Sequence, residues 1–165
     1  MQKLKVIACG VFEPELRSLI ENAENEIELH VLDAGLHEYP RRLRTQVQDH
    51  VDAAQNGPYD AIVVVYGLCG RGTSGLLARD IPVVIPRVHD CISLFLGSAQ
   101  EYRRQFSHHP GTFYITPGWF EKQTAPPSTQ KDTAEAEDAS EAADGNGENA
   151  RTIKGYAQRF GRDNA

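Results

Sequence analysis

The residues of this sequence best suited to chemistry are three cysteines, which lie far apart at positions 9, 69 and 91. Cys9 ends an apolar run of residues, Cys69 closely follows a second such run, and Cys91 follows a third. His37 and His89 occupy similar places in the sequence. Thiolate and imidazole groups are the ligands that zinc prefers, and thiolates also suit iron-based centres. The sequence therefore predicts a metal site made of Cys9, Cys69 and Cys91, with zinc or an iron-based centre as the cofactor.

Two histidines compete for the fourth position of this metal site. His89 precedes Asp90, whose carboxylate is suited to orient the imidazole through its second nitrogen. The alternative is that Asp90 caps the start of a helix. His37 is either the fourth ligand or an ordinary polar residue of a loop. Three thiolates and a neutral imidazole around divalent zinc would leave a charge of about −1, which Arg71 or Arg87 is placed to offset.

The cysteines also have simpler interpretations. The sequence has no Cys-x-x-Cys pair, and cysteine is among the residue types most often buried as a small apolar group. A further alternative is a thiol nucleophile, because Cys69 or Cys91 near a helix N-terminus would have a depressed pKa. The cysteines are odd in number and widely separated, which argues against a disulfide framework and indicates a reducing cytoplasm.

A glycine-rich loop from residue 67 to residue 75 offers a different kind of site. Gly70, Gly72 and Gly75 fit the spacing GxGxxG, which is typical of dinucleotide-binding loops. The loop follows the third predicted strand rather than the first, and residues 73–80 are too few for a full crossover helix. We therefore favour a tight turn in which glycines adopt positive φ, with backbone N–H groups at a helix N-terminus that contact an anion. The alternative to the metal site is thus a metal-free module that binds an anion, a nucleotide or a small molecule.

The elements that must position these side chains are indicated by the patterning of residues 1 to about 120. Short β-rich runs alternate with stretches of helical periodicity, which is typical of βαβ units around a parallel sheet. We expect an α/β fold with an open, mostly parallel, doubly wound, Rossmann-like sheet of about five strands. The strands are predicted at Leu4–Cys9, Ile27–Leu32, Ala61–Tyr66, Ile81–Ile85 and Thr112–Thr116.

Helices are predicted between these strands from proline positions and apolar spacing. Pro14 and Pro40 suit the first turns of two helices, because a proline lacks the N–H that would be unpaired there. A third helix begins at Cys91, and Ser98 with Glu101 resembles the capping box of a fourth. The apolar residues expected to face inward are Leu16, Leu19, Ile20 and Ala23 in the first helix, Leu43, Val47, Val51 and Ala54 in the second, and Tyr102 and Phe106 in the fourth.

Small molecules bind to open parallel sheets outside the carboxyl ends of the strands. Residues that follow the predicted strands are therefore the candidates for ligand contact, whereas Tyr114 and Trp119 are expected to pack at a sheet edge. The predicted ligand-binding residues are Tyr66, Gly67, Gly70, Arg71, Gly72, Arg87, Asp90 and Asp33.

The composition divides the chain into unlike parts. The 165 residues are 40% hydrophobic, but Thr124–Ala150 contains no large apolar residue and holds enough acids to account for the whole net charge of −6. We predict a domain over residues 1–120 and a disordered acidic linker over residues 121–150. The remaining residues are neutral overall, which argues against nucleic-acid binding. No apolar run is long enough to span a bilayer, and the N-terminus lacks the apolar region of a secretory signal.

Residues 151–165 form a third, basic part of the chain. Ile153, Tyr156 and Phe160 recur at helical spacing, which predicts either a short amphipathic helix that docks on the body or on a partner, or a frayed tail. An accessory interaction protein is therefore another class of function that this sequence allows.

Six segments, taken together, resemble the domain-of-unknown-function 1638 family. The resemblance covers residues 1 to about 120 and is specific, because the segments match in order. The segments are Cys9-Gly10, Leu32-Asp33-Ala34-Gly35-Leu36-His37, Tyr66-Gly67-Leu68-Cys69-Gly70, Pro86-Arg87-Val88-His89-Asp90-Cys91-Ile92, Leu96-Gly97-Ser98 and Thr116-Pro117-Gly118-Trp119.

This resemblance implies a role in one-carbon metabolism. The family often accompanies corrinoid-dependent methyl-transfer systems, so the implied ligand is a metal, a corrinoid or a methylated amine. The implied partner is a methyltransferase or corrinoid protein. The corrinoid would then be carried by this partner rather than by the chain itself. Members of the family look longer, and residues 156–165 resemble the start of their second half. The sequence thus looks like either a natural short form or a truncated one.

Overall fold

The computed structural model describes residues 1–124 and contains one four-stranded sheet in the order β2-β1-β3-β4. All neighbouring strands run parallel, and Val6 of β1 lies opposite Leu29 of β2 and Val63 of β3. The predicted α/β fold with a parallel sheet is therefore confirmed. The strands are β1 (Lys3–Cys9), β2 (Glu26–Leu32), β3 (Ala61–Val65) and β4 (Val83–Val84).

Five α-helices and two short 3-10 turns connect and follow the strands over the described residues. The 3-10 turn Gly10–Phe12 directly precedes α1. The 3-10 turn Ala34–Glu38 ends one residue before α2. The helices are α1 (Glu13–Glu21), α2 (Pro40–Ala54), α3 (Cys91–Phe95), α4 (Ala99–His108) and α5 (Pro117–Thr124). None of these helices is long and apolar enough to cross a membrane.

The main core lies between α2 and one face of the sheet. Ile7 and Val64 come from adjacent strands and are fully buried beneath the helix. The helix contributes the four residues whose spacing predicted an apolar face, namely Leu43, Val47, Val51 and Ala54. Burying a large aliphatic side chain stabilises a fold by roughly 1.5–3 kcal/mol, so this face anchors the sheet firmly.

Helix α1 differs from the prediction based on its apolar spacing. Leu19 is 68% exposed, no residue of α1 is fully buried, and the helix ends at Glu21, so Ala23 lies beyond it. The helix packs mainly against the Gly10–Phe12 turn and α5 rather than across the sheet. Gly118 allows α5 to lie close to the Gly10–Phe12 turn, because a Cβ atom at residue 118 would lie only 2.2 Å from the carbonyl oxygen of Val11.

The fifth predicted strand, Thr112–Thr116, is wrong, because these residues form an irregular segment. The edge strand β4 has only two residues and lies between Pro82 and Pro86, which cannot donate backbone hydrogen bonds to a further strand. Phe106 of α4 is also 54% exposed rather than buried. The five-stranded, Rossmann-like sheet is therefore reduced to a four-stranded parallel one.

The domain boundaries predicted near the C-terminus stay predictions. Helix α5 continues to Thr124, which is past the predicted end of the domain at residue 120. Residues 125–150 of the predicted acidic linker lie outside the described residues. The segment 151–165 lies wholly outside them.

Candidate ligand pocket

A cavity of about 740 Å³ opens at the carboxyl edge of the sheet, and we call it the thiol pocket. Its walls come from the ends of β1 and β3, from the start of α3 and from residues 112–119. With His37 of the Ala34–Glu38 turn, the structure thus brings together side chains from five separate stretches of sequence. Ten of the residues that the sequence predicted as metal ligands or ligand-binding residues line the pocket, namely Cys9, Cys69, Cys91, His37, His89, Tyr66, Gly67, Gly70, Arg71 and Asp90.

Each cysteine reaches the thiol pocket from a different element. Cys9 is the last residue of β1 and is almost completely buried. Cys69 lies in the turn after β3 with a φ of +44°, and its N–H donates to the carbonyl of His89 at 3.0 Å. Cys91 is the first residue of α3. The hydrogen bond from Cys69 ties the turn after β3 to the segment that leads into α3.

Gly67 is required for this close approach. A Cβ atom on Gly67 would lie 2.6 Å from the backbone nitrogen of Asp90 and 2.7 Å from its Cα atom. Neither contact can be relieved by rotating a side chain, because both atoms belong to the backbone. The absence of a side chain at residue 67 therefore allows the segments that carry Cys69 and Cys91 to meet.

The thiols of Cys69 and Cys91 are held in their neutral form. Burial raises the pKa of Cys69 to about 12, and the neighbouring thiols of Cys91 and Cys9 add to this effect. Burial likewise raises the pKa of Cys91 to about 11, with further increases from Cys9 and Asp90. Backbone N–H groups at the start of α3 lower the pKa of Cys91 but only in part. The depressed pKa expected of a thiol nucleophile is therefore wrong for both residues.

Tyr66 lies beneath the thiol pocket at the end of β3 and is only 1% exposed. Its buried hydroxyl has no nitrogen or oxygen partner among the described residues. Burial and the adjacent Cys9 thiol raise the pKa of this phenol, so it stays protonated. The floor of the pocket is therefore built from soft sulfur atoms and a neutral phenol rather than from ionised groups.

Asp90 caps α3 instead of orienting His89. Its carboxylate accepts hydrogen bonds from the backbone N–H and the hydroxyl of Ser93, both at 2.9 Å. The helix-capping alternative for Asp90 is therefore correct. His37 donates from Nδ1 to the carbonyl of Ala34 at 2.7 Å, which leaves its Nε2 atom without the proton in the neutral ring.

Three predicted ligand-binding residues lie elsewhere. Asp33 caps the Ala34–Glu38 turn by accepting from the N–H of Gly35 at 2.7 Å. Gly72 packs against Leu43, whose Cδ2 atom would lie 2.4 Å from an added Cβ. Arg87 lines a neighbouring cleft rather than the thiol pocket. The three residues thus lie outside the lining of the thiol pocket, because a place after a strand does not specify where a side chain turns.

The glycine-rich loop is a turn, as we favoured. Residues 69, 70, 71 and 75 all have positive φ, and the two glycines among them, Gly70 and Gly75, adopt this conformation without strain. No helix follows the loop before β4, so the predicted helix N-terminus that would contact an anion is absent there. The dinucleotide-binding interpretation of GxGxxG thus lacks the helix on which it depends.

Aromatic rings line part of the thiol pocket, and we call them the aromatic wall. The rings of Phe12 and Phe95 stack with centroids 4.4 Å apart, and Phe113 meets Trp119 edge to face at 5.6 Å. Sequence reasoning missed these residues or, for Trp119, assigned it to packing alone. The available signal was the segment Thr116-Pro117-Gly118-Trp119, which was among those that resembled the family.

A second, shallower depression of about 410 Å³ adjoins the thiol pocket, and we call it the arginine cleft. It shares Leu68 and His89 with the thiol pocket. The cleft is also lined by two arginines. Arg87 precedes α3, and Arg103 belongs to α4.

The donor types of the thiol pocket suit a soft metal ion, but their arrangement does not match a metal site. No group of three or more His, Cys, Asp and Glu side chains among residues 1–120 is placed to hold one ion. A metal would therefore require the cysteine side chains to move closer together than they lie in this structure.

Comparison with known proteins identifies one family. A family model described as "Protein of unknown function (DUF1638)" matches residues 31–160. The chain belongs to the DUF1638 family. The match includes Cys69, Cys91 and both candidate histidines, whereas Cys9 lies before its first residue. No curated protein and no solved structure matches the chain.

Proposed function

We propose that this DUF1638 protein binds a small molecule with an apolar, ring-containing body in the thiol pocket. The observation that carries the proposal is the meeting of three thiols with an aromatic wall around one cavity of about 740 Å³. Cavities of roughly 300–1,000 Å³ with mainly apolar walls and a few polar groups are typical of small-molecule sites. The neutral thiols and the phenol of Tyr66 favour an uncharged ligand surface at the floor of the pocket.

The naphthalene derivative 1-naphthol is a suitable probe for this proposal, because its fluorescence reports on an apolar environment. We expect it to bind the wild-type protein, and the variant Phe113→Ala to bind about threefold to tenfold more weakly, since an aromatic contact contributes about 0.5–1.5 kcal/mol. Phe106→Ala is the matched control, because Phe106 is more exposed than Phe113 and does not line the pocket. Absence of binding up to about 1 mM would contradict the proposal.

A second candidate function is capture of a soft metal ion by Cys9, Cys69 and Cys91, with His89 or His37 as a further ligand. Its support is the proximity of the three thiols in one pocket, where Cys91 and Cys9 raise the pKa of Cys69, and Cys9 raises the pKa of Cys91. Zinc or an iron-based centre would relieve the repulsion between thiolates once they lose their protons. Metal analysis of anaerobically purified protein tests this candidate. We expect one ion per chain and its loss in Cys69→Ser, whereas substoichiometric metal that Cys69→Ser leaves unchanged would contradict it.

A place in corrinoid-dependent methyl transfer, with a methyltransferase or corrinoid protein as partner, stays a prediction based on family resemblance. No disulfide joins Cys9, Cys69 or Cys91, and reduced thiols are typical of cytoplasmic proteins, so we propose a cytoplasmic location. The alternative of an interaction protein depends on residues 151–165, which lie outside the described residues. Co-purification of the full chain and of a chain ending at residue 124 with a candidate methyltransferase would test both ideas.

A further inference from the structure

We infer that the ligand of the thiol pocket carries an oxyanion, a phosphate or a carboxylate, which binds in the arginine cleft between Arg87 and Arg103. This inference rests on the proposed function and specifies the chemical class of the ligand. The ligand would place its apolar body against the aromatic wall and its anionic group in the adjoining cleft.

The two arginines of the cleft differ from other arginines nearby. Arg79 is paired with Asp52, and Arg104, next to Arg103 in α4, is paired with Glu101. The guanidinium groups of Arg87 and Arg103 form no ion pair or hydrogen bond with residues 1–120, whose side chains the structure describes, and no carboxylate from these residues lines the cleft. Two cationic side chains therefore face one depression without an internal counterion.

The arginine cleft and the thiol pocket adjoin each other. Both are lined by Leu68 and His89, and the N–H of Leu68 donates to the carbonyl of Val88 at 2.9 Å, which fixes this shared boundary. Arg87 directly precedes Val88 in the chain, so the same hydrogen bond restrains the backbone that carries Arg87. A ligand held in the thiol pocket would therefore need to reach only past His89 to place an anionic group in the arginine cleft.

Guanidinium groups match the chemistry of an oxyanion. Each arginine presents a planar fork of N–H donors that pairs with two oxygens of a phosphate or carboxylate. Two such forks from different elements, the segment before α3 and the helix α4, would hold one anion from two sides. Hydrogen bonds to charged groups contribute more than neutral ones, although solvent exposure reduces the gain.

Three probes with one ring system test the inference: 1-naphthyl phosphate, 1-naphthoate and the neutral 1-naphthol. Their dissociation constants for the full chain are measured by calorimetry at low ionic strength. We expect at least one anionic probe to bind the wild-type protein about tenfold more tightly than 1-naphthol, and the tighter of the two to identify phosphate or carboxylate as the source. Arg87→Gln and Arg103→Gln should each weaken the anionic probe about threefold to tenfold and leave 1-naphthol unchanged.

Arg104→Gln is the matched control, because Arg104 neighbours Arg103 but is engaged by Glu101. It should leave all three dissociation constants unchanged. Equal affinities of the three probes for the wild-type protein, or anionic binding that both cleft variants leave intact, would overturn the inference while the proposed function stands. If no probe binds up to about 1 mM, the proposed function itself is overturned, and this inference with it.

Discussion

Gly67 lies so close to the backbone of Asp90 that an added Cβ atom would approach the Asp90 nitrogen to 2.6 Å. This contact joins the turn after β3 to the start of α3, and the hydrogen bond from Cys69 to His89 reinforces it. The thiol pocket therefore depends on a close backbone approach as well as on the side chains that line it.

Gly67→Ala tests the importance of this approach. The added methyl group meets backbone atoms that cannot rotate away, so we expect the free energy of unfolding to fall by about 1–3 kcal/mol. Urea denaturation measures the change. Gly35→Ala is the comparison, because its nearest contact is a side-chain oxygen of Asp33 at 3.1 Å, and it should cost less. Equal stability of Gly67→Ala and the wild-type protein would contradict the described contact.

Asp90 should act on stability through the start of α3. Asp90→Ala removes the acceptor of two hydrogen bonds from Ser93, and we expect a loss of about 1–2 kcal/mol in the free energy of unfolding. Asp90→Asn should retain most of the stability, because an asparagine side chain also caps helices well. If Ala and Asn cost the same, the capping role assigned to Asp90 is wrong.

The pair His30 and His50 should make stability depend on pH. Their rings lie 3.8 Å apart, and burial lowers the pKa of both, with Lys5 lowering each further and His30 lowering that of His50. Glu28 and Asp49 oppose this shift only in part. A lowered pKa means that the unfolded chain binds protons first, so stability is lost as the pH falls below about 6.5.

Urea unfolding of the wild-type protein between pH 7.5 and pH 5 measures this dependence. His50→Gln removes one of the two imidazoles, so the decrease in stability on acidification should become smaller. The same slope in both proteins would show that the pair does not control stability in this range.

The thiols should react slowly with alkylating reagents in the folded protein. The pKa of Cys69 is raised to about 12 and that of Cys91 to about 11, so few thiolates are present near pH 7.5. We expect the rate of iodoacetamide labelling, followed by mass spectrometry of peptides, to keep rising up to pH 10 without a plateau. Unfolded protein, with ordinary thiols, should react much faster at pH 7.5. Rapid labelling of either residue in folded protein at that pH would contradict the raised pKa values.

The sequence predicted those elements whose patterns were set by local packing. The spacing of Leu43, Val47, Val51 and Ala54 correctly gave the buried face of α2, because one face of a long helix must meet the sheet. The first three strands were predicted to within a residue or so at either end. The segment 112–116 misled, because aromatic and β-branched residues also suit the wall of a pocket, to which Phe113 and Tyr114 contribute.

The candidate site was predicted less completely. That the three cysteines lie around one cavity followed from the rule that strand ends share an edge of a parallel sheet. Three features depend on tertiary contacts between distant segments: the aromatic wall, the capping of α3 by Asp90, and the place of Arg87 in a separate cleft. No spacing in the sequence encodes such contacts directly.

The central claim is that thiols from distant parts of the chain share one apolar pocket, and phenylarsine oxide tests it most directly. This reagent pairs an apolar ring with an arsenic atom that forms bonds to two neighbouring thiols and releases its oxygen as water. We predict one arsenical per folded chain by intact-mass spectrometry, a reduced affinity in both Cys69→Ser and Cys91→Ser, and competition by 1-naphthol. Absence of an adduct in the reduced wild-type protein, or an adduct that neither variant affects, would contradict the account.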